Sequence, residues 1–268
     1  MNDSPNNLNQ ATRDLIGALD VREGIASTTD YGDATTPSRD KSSATNTISK
    51  RSQQSMEYPG VTVEDHVKFL IRIHENPGLH QTELIKRARM RRTDGLKLLK
   101  HLQESCLIDV QEFTAGRGGK IKVPLLTRAG YQRIGEEQGV FVQGSEAHSV
   151  TAQCAQKLFE LAGFQVRPEY SLAAEFGVRL DLMCRHKTKN QSVAVNICID
   201  NAPDYEAQAA YRALQCPEVR AGRFCLIARN KSKVDGFKKA MRQLDPSLND
   251  QIDIRLAGHV MRSANTNL

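Results

Sequence analysis

Seven basic residues crowd fifteen consecutive positions near the middle of the chain. Between Lys86 and Lys100 the only acidic residue is Asp94, whereas an ordinary solvated helix surface mixes the two signs. The cations are Lys86, Arg87, Arg89, Arg91, Arg92, Lys97 and Lys100, and a glycine-bearing loop region just downstream adds Arg117, Lys120 and Lys122. Guanidinium and ammonium groups at this density can neutralise a row of phosphates, so the pattern favours a polyanionic partner.

The surplus positive charge of the whole chain lies in this same region. The formal net charge is +6 and the pI is near 9.0. Residues 61–135 carry 14 Lys and Arg against 8 Asp and Glu, residues 1–60 carry 6 against 8, and residues 136–268 carry 17 against 15. Because many proteins are mildly basic, the placement of the charge is more informative than its total.

Composition also indicates the cellular compartment of the protein and whether it carries a membrane span or a metal site. No window approaches the ~18 uninterrupted apolar residues of a membrane span, and no basic and apolar leader opens the chain. The six cysteines are scattered, without a C-x-x-C pair or zinc-ligand spacing, which predicts reduced thiols and no metal site. A zinc site assembled from distant residues stays open. We expect a cytoplasmic protein, associated with the nucleoid if bacterial, with no membrane partner.

The chain is predicted to have three parts. Residues 1–59 are dominated by Asn, Ser, Thr, Asp and Gln and predict a disordered N-terminal tail. Residues 60–138 and residues 144–262 each contain enough periodic apolar sequence for a small domain.

The first domain is predicted to begin with three helices. Thr62 can cap a helix whose apolar residues recur at helical spacing until a break at residues 76–78. A second, short helix fits residues 81–88, and a third helix fits residues 93–105. The apolar stripe of the third helix is assigned to Leu96, Leu99 and Leu102. Gly95 is unusual in this helix, since glycine disfavours a helix interior by about 1 kcal/mol.

A hairpin and one more helix complete the first domain. Residues 107–113 and 120–126 have extended character and flank the glycine-bearing loop. Thr127 then caps a helix predicted to run through Glu137.

This order of elements resembles the winged helix-turn-helix regulators. The segment Leu-Leu-Thr-Arg-Ala-Gly at residues 125–130 is similar to the LT-x-x-G step that follows the wing in that superfamily. The resemblance implies a fold in which the second helix of the motif enters the major groove of duplex DNA and the hairpin forms a wing. It implies DNA binding more than any particular DNA site.

The resemblance assigns roles to the basic residues. Groove contacts are expected from Arg91, Arg92 and Lys97, phosphate contacts from Lys86, Arg87 and Arg89, and a minor-groove contact from Arg117. The alternative is that these cations form a solvated surface and that the winged helix is a protein-interaction module.

The second domain is predicted to be a mixed α/β domain with a central sheet. Helices fit residues 149–162, 204–214 and 233–244, and strands fit residues 165–170, 178–185, 192–200, 223–228 and 252–257.

Its details resemble the restriction-endonuclease-like superfamily, named for the PD-(D/E)XK motif. The matching pieces are a helix with Glu146 and His148, Gly177-Val-Arg-Leu-Asp181-Leu on one strand, Val193-Ala-Val-Asn-Ile-Cys-Ile-Asp200 on the next, and a helix with Glu206 and Gln208. In active members, an acidic strand residue and a Glu-x-Lys on the next strand hold a divalent metal and activate water. Asp181 matches the first position.

The second half of the motif is degenerate. Asn196 and Cys198 stand where the family has Glu and Lys, and neither an amide nor a thiol suits a hard cation. Strand alternation would place Asp200 on the same face, where it could substitute as a carboxylate together with Glu146 or Glu169. Alternatively, Asp181 is a surface acid paired with Arg179, Lys187 or Lys189.

Three functions follow from this interpretation. The leading one is a non-enzymatic, sequence-specific or structure-directed double-stranded DNA-binding protein without a cofactor, either a transcriptional regulator or an accessory factor of a mobile or replicating element. A homodimer would be usual for such a regulator. The second is a Mg²⁺-dependent DNA endonuclease using Glu146, Asp181 and Asp200 as catalytic residues. The third is a protein-interaction scaffold.

Overall fold

The computed structural model describes residues 62–116, 119–137, 144–220 and 222–266. The predicted disordered tail at residues 1–59 lies outside the described residues. Among the residues described, no helix is long and apolar enough to cross a membrane. The fold is a mixture of helices and two sheets, as predicted.

The first unit, residues 62–137, begins with three helices at the predicted places. They are α1 (Val63–Glu75), α2 (Gln81–Arg87) and α3 (Arg92–Glu104). Thr62 starts α1, because its hydroxyl accepts a hydrogen bond from the N–H of Asp65 while its own N–H donates to the Asp65 carboxylate. This reciprocal capping fixes where the described chain enters its first helix.

The buried face of α3 differs from the predicted stripe at one position. Leu99 and Leu102 are buried as predicted and Leu98 joins them, whereas Leu96 is 38% exposed. The true stripe begins at Gly95 and continues at the third, fourth and seventh following residues, which is the spacing of one helix face. The assignment of Leu96 to the core is therefore wrong.

Gly95 lies where α3 contacts α2. A Cβ atom at this position would lie 2.6 Å from both Cγ atoms of Ile85, closer than real Cβ atoms approach other atoms. Ile85 is buried and has little room to move. The glycine thus permits the close approach of the two helices, which explains its presence inside a helix.

A hairpin and a short helix follow. They are β1 (Ile108–Thr114), β2 (Lys120–Leu126) and α4 (Arg128–Ile134). The Thr127 hydroxyl caps α4 by accepting from the N–H of Gly130. The helix stops before Glu137, where the sequence pattern placed its end, because Gly135 has a φ of 75° and takes the left-handed conformation that closes helices.

The second unit, residues 144–266, has α/β character as predicted. Its elements are α5 (Glu146–Leu161), β3 (Phe164–Ser171), β4 (Arg179–His186), β5 (Ser192–Cys198), α6 (Pro203–Gln215), α7 (Pro217–Arg220), β6 (Arg223–Ala228), α8 (Lys231–Leu244), β7 (Ile252–Leu256) and α9 (Ala257–Thr266). Ser145 caps α5, so that helix begins earlier than predicted. The sequence pattern does not predict α9, whose small and polar residues weaken its apolar periodicity.

The five strands of the second unit form one mixed sheet in the order β3-β4-β5-β6-β7. β3 pairs antiparallel with β4 and β4 antiparallel with β5, whereas β5, β6 and β7 run parallel to one another. Helices α5 and α9 bury their apolar residues against one face, and α6 and α8 against the other. The carboxyl ends of the parallel strands therefore meet at one edge of the sheet.

The hairpin of the first unit is part of the second unit's core. Phe113, Val123 and Leu125 are buried in the same apolar cluster as α5 and α9. At Gly258 of α9, a Cβ atom would lie 2.6 Å from the carbonyl oxygen of Thr114, so β1 and α9 pack closely. The two units are thus held in one orientation by a shared apolar core.

Replacing Gly95 with alanine is expected to destabilise the protein, although alanine is the better helix former. The added methyl group meets Ile85, and overpacking of this kind costs about 1–3 kcal/mol, against a propensity gain of about 1 kcal/mol. Urea unfolding followed by circular dichroism measures the free energy of unfolding. Thr93→Ala, at an exposed position of the same helix, is the control without a new contact. A Gly95→Ala protein as stable as that control would contradict the close crossing.

Candidate nucleic-acid interface

The amino-terminal end of α3 presents an exposed basic surface. Arg91 is the residue before the helix, and its side chain is 90% exposed, with Nε 3.2 Å from the carboxylate of Asp94. Arg92 and Lys97 are exposed on the same helix, while the apolar stripe faces the core. The predicted groove-contact residues Arg91, Arg92 and Lys97 thus all lie at the surface, and Lys100 continues this surface along α3.

The turn before α3 adds further exposed cations. Arg89 has a φ of 55°, and the N–H of Met90 reaches back to the carbonyl oxygen of Ile85, so the chain reverses within three residues of the end of α2. Lys86 is 79% exposed and lies 3.7 Å from the Glu83 carboxylate, too exposed for this pair to add much stability. Lys86 and Arg89 therefore both lie at the surface.

Arg87 makes contacts within the protein that the sequence did not predict. Its guanidinium donates to Oδ1 of Asn76 at 3.2 Å and to the main-chain oxygen of Asn265 at 3.0 Å. Asn265 belongs to α9 of the second unit, so this side chain joins the two units. We therefore leave Arg87 out of the candidate interface.

The hairpin contributes less net charge than its lysines suggest. Lys120 forms an ion pair of 2.6 Å with Glu112, and Lys122 stands opposite Glu112 in the strand register. Both lysines are exposed. The predicted Arg117 lies outside the described residues. The described part of the candidate interface is therefore concentrated on α3 and the turn before it.

A polar site lies at the sheet edge of the second unit, around Asp181 on β4. One oxygen of its carboxylate accepts from the N–H of Ile197 at 2.7 Å, and the other lies 3.0 Å from Nε2 of His148 on α5. The ladder between β4 and β5 begins at Leu182 and Val195, so Asp181 takes the place of main-chain pairing where the two strands separate. The Asp181 carboxylate therefore forms part of the hydrogen bonding that joins β4 to β5 at this end of the strands.

The side chains around Asp181 set the charge of His148. Burial lowers the pKa of His148, but the hydrogen bond and the charge of Asp181, helped by Glu206, outweigh burial and raise it above its ordinary value. The charged form of the imidazole is thus stabilised in the folded protein. Such a pair contributes stability below the ordinary histidine pKa, and that stability is lost as the pH rises through the raised pKa.

Glu206 on α6 is the buried acid of this site. It is 2% exposed and accepts hydrogen bonds from the amides of Asn196 at 3.1 Å and Asn201 at 2.7 Å. Burial raises the pKa of Glu206, although both amide donors favour its charged form. The side-chain oxygen of Asn196 is buried and has no hydrogen-bond partner among the residues described.

The three carboxylates proposed as catalytic have different partners. Glu146 accepts a hydrogen bond of 2.6 Å from the hydroxyl of Tyr131 in the first unit. Asp200 is exposed, accepts from the hydroxyl of Ser145 and lies 3.6 Å from the guanidinium of Arg229. Within the described ranges, no group of three His, Cys, Asp or Glu side chains is arranged to hold a metal ion.

Two expectations about this site need correction. Alternation along one strand does not carry Asp200 to the face of Asn196, because β5 ends at Cys198 and Asp200 lies in the bend that follows. Asp181 does not pair with Arg179, which forms an ion pair with Glu169. The partner that sequence reasoning missed is His148, and its position on the same predicted helix as Glu146 was the available signal.

In comparisons with protein-family models, with curated proteins and with solved structures, no significant match to this chain was found.

Asp181→Asn is expected to move the pKa of His148 from above its ordinary value of about 6.5 to below it. The substitution removes the largest of the charges that raise the pKa and leaves burial, the largest single cause, which lowers it against the smaller effects of Glu206 and Asp200. NMR titration of the histidine ring signals, assigned with a His148→Gln variant, measures the change. Asp109→Asn on the exposed side of β1 is the control. A His148 pKa that stays above the ordinary value in Asp181→Asn would overturn this account of the pair.

Proposed function

We propose that the chain is a non-enzymatic double-stranded DNA-binding protein of the winged helix-turn-helix kind. In this proposal α3 enters the major groove, and the second unit is a restriction-endonuclease-like platform that fixes the orientation of the first. The observation that carries the proposal is an exposed basic surface formed by Lys86 at the end of α2, Arg89 and Arg91 in the turn, and Arg92, Lys97 and Lys100 on α3.

The helix geometry supports groove binding. Helices α2 and α3 form a close pair because Gly95 allows it, and the short turn between them leaves the first turn of α3 in solvent. In a helix-turn-helix, the base contacts come from that end of the second helix. Arg91 and Arg92 are placed there, and arginine is the side chain best suited to guanine edges and phosphates.

The chemistry of the second unit supports a platform more than an enzyme. The amide of Asn196 is engaged with Glu206 at the position where the related motif has a metal-binding carboxylate. Burial raises the pKa of Cys198 to about 11, so its thiol is protonated near neutral pH and is a poor ligand for a hard cation. We place the protein in the cytoplasm as a transcriptional regulator or as an accessory factor of a mobile or replicating element, and a homodimer would suit a two-fold DNA site.

A metal-dependent endonuclease is the second candidate. It is favoured by the position of Asp181, whose carboxylate lies where β4 and β5 separate. This function requires that Mg²⁺ or Mn²⁺ bind beside Asp181 and that duplex DNA be cut there.

The Arg91→Ala/Arg92→Ala double variant is expected to weaken duplex binding and to reduce its salt dependence. A guanidinium in the groove also neutralises neighbouring phosphate charge, and each neutralised phosphate contributes about 0.9 to the slope of log affinity against log salt, so the slope is expected to fall by up to about 2. A lost base contact costs a further ~1–3 kcal/mol. Fluorescence anisotropy with labelled duplex DNA at several salt concentrations measures both effects. The control is Lys187→Ala/Lys189→Ala, which removes the same charge from the exposed β4–β5 turn.

The same titration, repeated with Mg²⁺ or Mn²⁺ and analysed on a denaturing gel, separates the candidates. Salt-dependent binding with intact DNA is the expected result. DNA that the parent protein cuts and the Asp181→Ala variant leaves intact would instead establish the endonuclease. No duplex binding at physiological salt would overturn both and favour a protein-interaction scaffold.

A further inference from the structure

A cavity of about 240 Å³ lies where the first unit meets the second. Its walls come from the end of α1 and the loop after it, from α5 and from α9. This space is large enough for several waters or for one small organic molecule. The cavity is distinct from the basic surface of α3 and from the polar site at Asp181.

Two opposite charges line this cavity without neutralising each other. Glu75 lies at the end of α1 and Lys157 lies on α5, and neither forms an ion pair with any residue that the structure describes. Gln153, one turn before Lys157, also lines the cavity, and its side chain makes no hydrogen bond within the described residues. Glu75 is exposed and Lys157 is half-buried. A ligand with one positive and one negative group can pair with both side chains, whereas a neutral ligand can pair with neither.

The floor of the cavity is tightly built. The carbonyl oxygen of Pro77 accepts from the thiol of Cys154 at 3.4 Å and from the side-chain amide of Asn265 at 3.2 Å. Gly78 follows with a φ of 76°, and a Cβ atom there would lie 2.6 Å from the sulfur of Cys154. Burial raises the pKa of the Cys154 thiol to about 12, so it stays protonated as a hydrogen-bond donor. The segments that line the cavity are therefore held in place by close packing and hydrogen bonds.

Arg87 connects the cavity to the candidate DNA interface. The two acceptors of its guanidinium, Asn76 and Asn265, both line the cavity from opposite units. Arg87 is the last residue of α2, only four residues before Arg91. A ligand in contact with these walls therefore contacts the residues that hold the helix pair against the second unit.

We propose that this cavity binds a small zwitterion of the α-amino acid class and that the bound molecule regulates DNA affinity. The ammonium group pairs with Glu75, and the carboxylate pairs with Lys157 and accepts from Gln153. The ligand braces the loop after α1 against α5 and α9, and so holds α2 and α3 in the orientation that meets DNA. By linkage, DNA then strengthens ligand binding by the same factor. This regulatory part rests on the proposed function, while ligand binding itself does not.

Titration calorimetry and thermal shift with the full chain, without DNA, test the site first. The probes are the standard L-α-amino acids at millimolar concentration, and each positive result is repeated with its N-acetyl and its carboxamide derivative. At least one free amino acid is expected to bind and to raise the melting temperature, and each blocked derivative is expected to lose affinity. Lys157→Met and Glu75→Gln should each weaken binding by about tenfold or more, the effect of one charged hydrogen bond.

Lys189→Met is the matched control, because it removes one ammonium group from an exposed turn of the second unit. Thermal melts of the unliganded variants establish that each one folds. If no amino acid binds, or if Lys157→Met and Glu75→Gln bind as tightly as the parent, the inference is overturned.

A DNA arm separates this inference from the proposed function. Anisotropy with duplex DNA is measured with and without the amino acid, and tighter DNA binding in its presence is the expected result. Duplex binding by a chain that binds no amino acid overturns the site and leaves the function. Amino acid binding by a chain that binds no duplex leaves the site and overturns the regulation together with the function. Equal DNA affinity in both conditions overturns the regulation alone.

Discussion

The burial of the hairpin's apolar side chains is the constraint on which the rest of the structure depends. β1 and β2 have to satisfy two cores at once, because Ile108 and Leu126 belong to the core of the first unit while Phe113 and Val123 belong to that of the second. Since apolar surface is stabilised only where neighbouring atoms fill the space around it, the helices of both units have to meet at the hairpin. The orientation of α3 follows from that meeting.

Polar contacts then select one arrangement at this junction. The hydroxyl of the buried Tyr131 donates to Glu146, and the half-buried guanidinium of Arg87 donates across to α9, so each finds a partner in the other unit. An unpaired buried group of this kind costs about 1–3 kcal/mol, which disfavours a rotated arrangement more strongly than apolar packing alone does. Apolar packing stabilises the junction, and these hydrogen bonds fix the relative orientation of the two units.

At the sheet edge of the second unit, charge is retained where an apolar side chain would pack more easily. Asp181 replaces a missing strand contact, His148 balances its charge, and Glu206 is held by two amides. Burying a carboxylate is unfavourable unless hydrogen bonds compensate, so this site depends on the full set of partners. The exposed cations of α3 have no such dependence, because water solvates each of them separately.

Local sequence determined the parts of this protein that depend on neighbouring residues. The cap at Thr62, the hairpin around its glycine-bearing loop and the run of basic residues up to Lys100 follow from helix periodicity, turn chemistry and charge, and the structure has these elements at the expected places. Only the tertiary structure decided the contacts between distant segments. It places Arg87 at the junction between the two units, explains Gly95 by its contact with Ile85, and pairs Asp181 with His148 rather than with Arg179. The physical reason is that capping and periodicity act over a few residues, whereas packing and the pairing of buried polar groups depend on which segments share the same space.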